Sequence, residues 1–375
     1  MSSSVDLVEF RNRCDRWFAE RYEPLDPERH DVPGLIAHTT DDHDAPMREA
    51  RRHQRALWDS GLAGLTVERR YGGKGLPPEA EMILAEVAGA YMVPSMVPLS
   101  VGLSLALSTL VQFGSEETCA ARVPRILDAS EVWCQLFSEP EAGSDLAALR
   151  TTATRVDDGY LIEGQKVWTS FAQHSAYGLL LARTGPAEDR HRGLSLFLLP
   201  MDAPGVTVRP LREITGGTHF NEVFLDAVAL PTSSLLGVEG GGWAAAMFTL
   251  GNERNLSTQR SRPRWKRLHE LAGGSGALDA VARDRLVRLA IAEELQRVGS
   301  LPGSAAKLVR SQIEVMASQL AVDLLGAAAT AHDDSATEVA AAVHWFLGAR
   351  ANRIAGGTDE IQRNIIAERI LGLPR

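Results

Sequence analysis

The chain has 375 residues, 45% hydrophobic and 23% charged, and its 39 basic and 48 acidic side chains leave a net charge of −9. At roughly 150 residues per domain, this length predicts two or three structural units, enough to bury a sizeable core. The acidic balance argues against nucleic acid as a partner, and the scattered Cys14, Cys119 and Cys134, with no CxxC pair, suit a reducing cytoplasm rather than a disulfide scaffold or zinc ribbon.

The N-terminal segment mixes charge and hydrophobe from its start and carries no basic region followed by an apolar one, so no secretory signal is expected. Leu7, Phe10, Cys14, Trp17 and Phe18 fall on one face of an amphipathic helix. Met47 to Ser60 predicts a second helix stopped by Gly61, Glu79 to Tyr91 a third, and the apolar Leu99 to Phe113, closed by Gly114, a fourth. The uncharged run Val87 to Ser115 is long enough to raise the question of a membrane span. It contains Pro94 and Pro98 and is dotted with Ser95, Ser100, Ser104, Ser108 and Thr109, which fits a broken helix in a core better; no membrane association is expected. Arg70 to Glu79, RYGGKGLPPE, invites a phosphate-loop reading. It lacks GxxxxGK[ST] and follows no clear strand, so it reads as a turn between helices.

From about Ser138 to Leu236 the pattern changes. Tyr160 to Trp168, Tyr177 to Ala182, Leu194 to Leu199, Val206 to Val208 and Asn221 to Leu225 are short apolar or alternating runs separated by turn residues. Such spacing without intervening helices predicts an antiparallel barrel or sandwich. No strand-GxGxxG-helix unit occurs; Gly240-Gly241-Gly242 comes closest, and it only precedes a helix. After Trp243 the helical period returns, with breaks at Gly273 to Gly276, Leu301 to Ser304 and His332 to Ala336 and a last helix starting near Glu338. The expectation is an α+β multi-domain protein: an N-terminal helical domain (1–128), a central antiparallel β-barrel or sandwich (129–236) and a C-terminal four-helix bundle (237–375).

Two segments stand out chemically. Trp133 to Asp145 packs Pro, Gly, Ser and Asp densely enough for a shaped loop with free backbone N–H groups and hydroxyls, suited to a polar ring edge or a phosphate, although an ordinary turn has the same composition. Trp168-Thr169-Ser170 sets an aromatic face beside hydroxyls. The ten histidines show no HxxxH or HExxH spacing, so no metal site is expected. The basic run Arg260 to Arg267 reads as a solvated helix start, with ligand phosphates or another protein surface as the other reading.

These residues resemble the acyl-CoA dehydrogenases. The match is to SEPxAGSDLA (Ser138 to Ala147), NGxKxWTS (here Glu163 to Ser170), FNEVxxDxVxVP (Phe220 to Pro231, with Leu230 for the last Val) and IxGGTxEIQRNIIAxRxLGLP (Ile354 to Pro374). Tyr71-Gly-Gly-Lys-Gly75 is similar to the family's YGGxG. The landmarks run in order over most of the chain.

The resemblance implies FAD between the β module and the C-terminal bundle. Phe137, Ser138, Gly143 and Ser144 would meet the pyrimidine side of the isoalloxazine and the substrate's pantetheine; Trp168, Thr169 and Ser170 would cover its other face and edge; Thr358 and Glu360 would approach it from the closing motif. The implied reaction is α,β-desaturation of an acyl-CoA thioester, which needs a desolvated carboxylate base and donors on the thioester oxygen. Many members place the base just before the GT of the closing motif. Here that position is Gly356, which has no side chain to act, although its N–H remains able to donate to the thioester oxygen. Other members carry the base in an ER dipeptide on the first helix after the β module, here Glu253-Arg254. Ala246, Leu250, Glu253 and Ser257 share one helix face, so Glu253 is the expected base, with Arg254 shaping the substrate site. The competing reading, a surface glutamate, is outweighed by the empty position at Gly356.

The pattern breaks at the family's RxxFG and QxxGG motifs, which bind the AMP half of a neighbouring subunit's FAD. Arg283 to Gly299 holds no Phe-Gly, and Asp323 stands where the glutamine would be. A carboxylate beside a pyrophosphate repels it. The expectation is the catalytic subunit of an α2β2 heterotetramer, whose second acyl-CoA dehydrogenase-like subunit supplies the AMP half of the site, with electron-transfer flavoprotein as reoxidant. A carrier-protein thioester in place of CoA, a flavin monooxygenase or oxidase on the same fold, and a non-catalytic interaction subunit are the competing readings. Small residues at Ala355 to Gly357 and along Pro94 to Leu107 point to a bulky or branched acyl group such as a steroid side chain.

Overall fold

The computed structural model describes residues 6–25, 44–256, 264–273, 278–299, 301–330 and 338–374, except for the side chains of 253–256. It divides into two compact units. The first comprises the described residues within Met1–Pro27, Asp44–Glu213 and Thr218–Asn252, the second those within Ile214–Gly217 and Glu253–Arg375.

In the first unit, α1 (Leu7–Ala19) starts at Asp6, whose side chain accepts from the N–H groups of Val8 and Glu9. Its buried face of Phe10, Cys14, Trp17 and Phe18 packs with Leu57 of α2 (Ala45–Asp59), with Leu62 and Leu65, and with Ala80 and Val87 of α3 (Pro78–Ala88). The uncharged run that follows is a broken helix: a 3-10 turn (Val97–Leu99), a π-helical turn (Val101–Ala106) and α4 (Leu107–Phe113), ahead of α5 (Glu116–Leu127). Leu105, Ala106 and Leu110 are buried, as a core segment requires.

The strands are β1 (Trp133–Leu136), β2 (Thr152–Val156), β3 (Gly159–Ser170), β4 (Tyr177–Arg183), β5 (Leu194–Pro200), β6 (Val206–Pro210), β7 (Phe220–Pro231) and β8 (Leu235–Leu236). They form one sheet in the order β6-β7-β3-β2-β4-β5-β8, with β1 also on β4. The expected barrel or sandwich is therefore corrected to a single open sheet: among the described residues β6 pairs only with β7 and β8 only with β5. Nor is it purely antiparallel. β1 runs parallel to β4 along Tyr177 to Leu180, and β2 rejoins β4 in parallel at Arg183. Residues 137–151 thus leave the sheet and return to the same strand. β4 and β5 are buried almost throughout, which explains their unbroken apolar sequences. One cluster holds Leu179, Leu181, Leu194 and Leu196 with Leu110, Ile126 and Ala246. Another holds Leu180, Ala182, Phe197 and Leu199 with Tyr160, Ile162 and Val223. α6 (Gly242–Leu256) buries Ala245 and Ala246 in the first of these.

The second unit contains α7 (Arg264–Leu271), α8 (Ala280–Val298), α9 (Gly303–Leu325), α10 (Glu338–Gly348), a 3-10 turn (Ala349–Arg353) and α11 (Asp359–Ile365). By length and composition alone Gly303–Thr330 would suffice to cross a membrane. Here Ile313, Ala317, Leu320 and Ala321 of that helix pack with Leu286, Leu289 and Trp345. The solvated reading of the basic run fails at its described end. Arg264 is buried and paired with Glu293 and Glu314, and Arg267 pairs with Glu338, because α7 lies against α8 and α9. The expected break at His332 to Ala336 lies outside the described residues.

Candidate active site

The loop after β1 and the end of β3 are joined by one buried ion pair. Lys166, with no solvent exposure, donates to the carbonyl of Phe137 at 3.0 Å and to Glu139 Oε1 at 2.8 Å. Glu139 also accepts the N–H of Arg150 at 2.6 Å and of Thr151 at 2.9 Å, and Val167 N–H donates to the Ser138 carbonyl at 2.9 Å. Burial pulls the Lys166 ammonium down to about 8, with Glu139 opposing the shift. Burial alone would raise the Glu139 carboxyl; the charge and hydrogen bond of Lys166 and the backbone donors hold it below the ordinary range. Phe137 and Ser138 are thereby tied to Lys166 and Val167, next in sequence to Trp168, Thr169 and Ser170. Phe137 is buried, while Gly143 and Ser144 are exposed.

At Trp168 the β3–β7 register slips and φ is +59°, a left-handed conformation unusual for an aromatic residue. The bulge leaves the indole 61% exposed, edge-to-face with Phe220 at 5.9 Å. Asn221 holds the strand end, donating to the Thr169 carbonyl at 3.1 Å and to Gln173 at 2.6 Å. Thr169 is fully buried, and its hydroxyl has no hydrogen-bond partner among the described residues. A buried polar atom without a partner is costly, so this position favours a polar ligand atom or water. An exposed indole beside a loop with free N–H groups can carry a flat, polar-edged ring.

In the second unit the closing motif folds into a tight turn. Gly356 and Gly357 have φ of +66° and +90°, conformations that a side chain would strain. Gln362 donates to their carbonyls at 3.0 and 3.2 Å, and Lys307 donates to the Gly357 carbonyl at 2.8 Å. Thr358 caps α11 by accepting from Ile361 N–H at 3.2 Å; Glu360 is exposed and pairs with Arg363 at 3.3 Å. Burial alone would raise the Asp359 carboxyl; hydrogen bonds from Arg353 and Ser311 and the charges of Arg353 and Lys307 hold it low. Gly356, Thr358 and Glu360 thus share one turn. Glu253 and Arg254 lie on the backbone of α6, but their side chains and Ser257 are outside the described residues.

Reasoning from sequence missed Lys166, Glu139, Asn221, Asp359 and Gln362 as supports of the site, although each lies inside a quoted motif. Lys307 carried no such signal.

Three family models match in chain order: acyl-CoA dehydrogenase N-terminal domain over 8–130, middle domain over 134–228 and C-terminal domain over 280–371. The chain is 37% identical over 390 aligned residues to acyl-CoA dehydrogenase IpdE1 of Mycobacterium tuberculosis, covering 99% of this chain and 98% of that one. It is 40% identical over 345 residues to acyl-CoA dehydrogenase FadE34 of the same organism, covering 88% of this chain and 47% of that one. Among solved structures it is similar to the ChsE4-ChsE5 complex from Mycobacterium tuberculosis, with a TM-score of 0.74 and 25% identity, covering 100% of this chain and 99% of that one. The cofactor of this family is FAD, and the residues here fit it: the indole of Trp168 is exposed, and the buried Thr169 hydroxyl has no partner among the described residues. The chain belongs to the acyl-CoA dehydrogenase family, FAD-dependent oxidoreductases acting on CH–CH bonds.

Proposed function

We propose that this chain is the catalytic subunit of a cytoplasmic α2β2 acyl-CoA dehydrogenase that desaturates a bulky or branched acyl-CoA, a steroid side chain fitting that description. The observation carrying the reading is the exposed Trp168 platform, stitched by Lys166 and Glu139 to the Phe137 to Ser144 loop. When bound, FAD supplies the two-electron acceptor for the β-hydride. Phe137, Ser138, Gly143 and Ser144 would line the pyrimidine side of the ring and the pantetheine, Trp168, Thr169 and Ser170 its other face and edge, and Thr358 and Glu360 its approach from the closing motif. Glu253 takes the α proton and Arg254 shapes the pocket. The Gly356 N–H donates to the thioester oxygen, where charge develops as the proton leaves; it has no other partner among the described residues. We divide the chain into domains 1–128, 129–236 and 237–375.

Support for a second, acyl-CoA dehydrogenase-like subunit comes from the missing AMP-binding motifs and from Asp323. Its carboxylate is engaged by Arg285 at 2.6 Å and by Gln319 at 3.1 Å, so the position is built for an intrachain ion pair. The similarity to a complex of two differently named chains points the same way. Electron-transfer flavoprotein is the proposed reoxidant. The cytoplasmic placement accords with three buried, unbonded cysteines.

A panel of acyl-CoA thioesters, offered anaerobically to the FAD-loaded protein, tests the reading. Wild type should bleach its flavin with a bulky thioester. Glu253→Gln should lose bleaching by at least about 10²-fold while retaining FAD; undiminished bleaching would reject Glu253 as the base.

A further inference from the structure

Lys307 is 3% exposed and Asp359 1% exposed, and both sit directly behind the Gly356-Gly357 turn. Lys307 Nζ lies 2.8 Å from the Gly357 carbonyl and 3.6 Å from Asp359 Oδ1. Asp359 is held in turn by Ser311 at 2.9 Å and Arg353 at 2.6 Å. Gln362, fully buried, donates to both turn carbonyls. A buried ion pair is a poor source of stability, since an apolar pair of the same volume generally serves as well. It does fix direction, and here its target is a backbone carbonyl. Peptide planes are rigid, so a carbonyl turned into the bundle sends the N–H of the same plane the opposite way. The N–H groups of Gly356, Gly357 and Thr358 make no hydrogen bond among the described residues. The Gly356 and Gly357 carbonyls share their planes with the N–H groups of Gly357 and Thr358, so those two donors face away from Lys307 and Gln362, and the Gly356 N–H opens the same turn.

We propose that Lys307, braced by Asp359, is a positioning residue that fixes the peptide plane of the Gly357 carbonyl and the Thr358 N–H, and through the turn it locks directs the Gly356 N–H at the thioester oxygen. This rests on the reading of Gly356 as an oxyanion donor given above. Lys307 touches neither substrate nor reacting atoms; it acts by holding the Gly357 carbonyl.

The test uses FAD-loaded enzyme co-expressed with its partner subunit. The probe is cyclohex-1-ene-1-carbonyl-CoA, labelled with 13C at the thioester carbonyl, and difference infrared spectroscopy follows the labelled stretch. In wild type the stretch should move to lower frequency on binding. In Lys307→Met, and in Lys307→Met/Asp359→Asn, where the pair is removed together, at least half of that displacement should be lost. On the best thioester of the panel, kcat should fall about 10²-fold, the size of one lost oxyanion donor, with KM within about threefold of wild type. Lys307→Gln, which keeps a donor, should recover part of both. A full displacement retained in both Met variants would overturn the inference while leaving the Gly356 reading intact. No displacement in wild type would overturn that reading and this inference with it. Failure of both Met variants to fold would also contradict it, by making Lys307 a residue of the fold rather than of the turn.

Discussion

Lys166 loses all of its water on folding and is compensated by two acceptors, the Phe137 carbonyl and Glu139. Removing the ammonium leaves Glu139 buried with only the backbone donors of Arg150 and Thr151. Lys166→Met should therefore cost about 3–5 kcal/mol in urea unfolding and loosen the loop enough to lower FAD retention. An effect below about 1 kcal/mol with FAD held normally would show that the pair does not organise the loop. The segments proposed to carry the site stand out in the sequence because they are motifs, with Trp168 the clearest case. Lys166 and Glu139 sit inside the same motifs, yet their pairing was not legible: a salt bridge across 27 residues of chain depends on which strand edge the loop returns to. The partnerless hydroxyl of Thr169 was equally invisible, since burial without a partner is a property of packing.

At the level of elements, α1 and α2 enclose His53, whose Nδ1 lies 2.6 Å from the Tyr22 hydroxyl among Trp17 and Phe18. Burial lowers the His53 imidazole from 6.5 to about 4. The folded state therefore binds fewer protons than the unfolded chain between those values, and stability falls as pH drops through that window. The loss from this group is at most about 3 kcal/mol, since each tenfold weakening of proton binding is worth about 1.4 kcal/mol. His174 is also lowered, chiefly by burial, and adds in the same direction. Urea midpoints between pH 7 and pH 4.5 should decline in wild type and decline less in His53→Gln; equal slopes would place the pH sensitivity elsewhere. The long helices and the apolar strands β4 and β5 were readable from period and composition. β1, β2 and β8, at four, five and two residues, were not, because so few residues show no alternation. The open sheet in place of a barrel or sandwich has a related cause: closure depends on pairings remote in sequence.

For the whole molecule, the helix–β–helix order was legible because composition changes sharply at each passage, and three family models follow that order. In the assembly we propose, this chain supplies the flavin-ring contacts and the base, while a second subunit supplies the AMP half of the cofactor site. In place of a glutamine for that half it presents Asp323, tied to Arg285. FAD per chain, measured for the protein expressed alone and co-expressed with its acyl-CoA dehydrogenase-like partner, decides between a shared and a self-contained cofactor site. With a shared site, the lone chain should hold little or no FAD and show no flavin bleaching, and both should return in the co-purified pair. Full flavin occupancy and activity in the lone chain would contradict it.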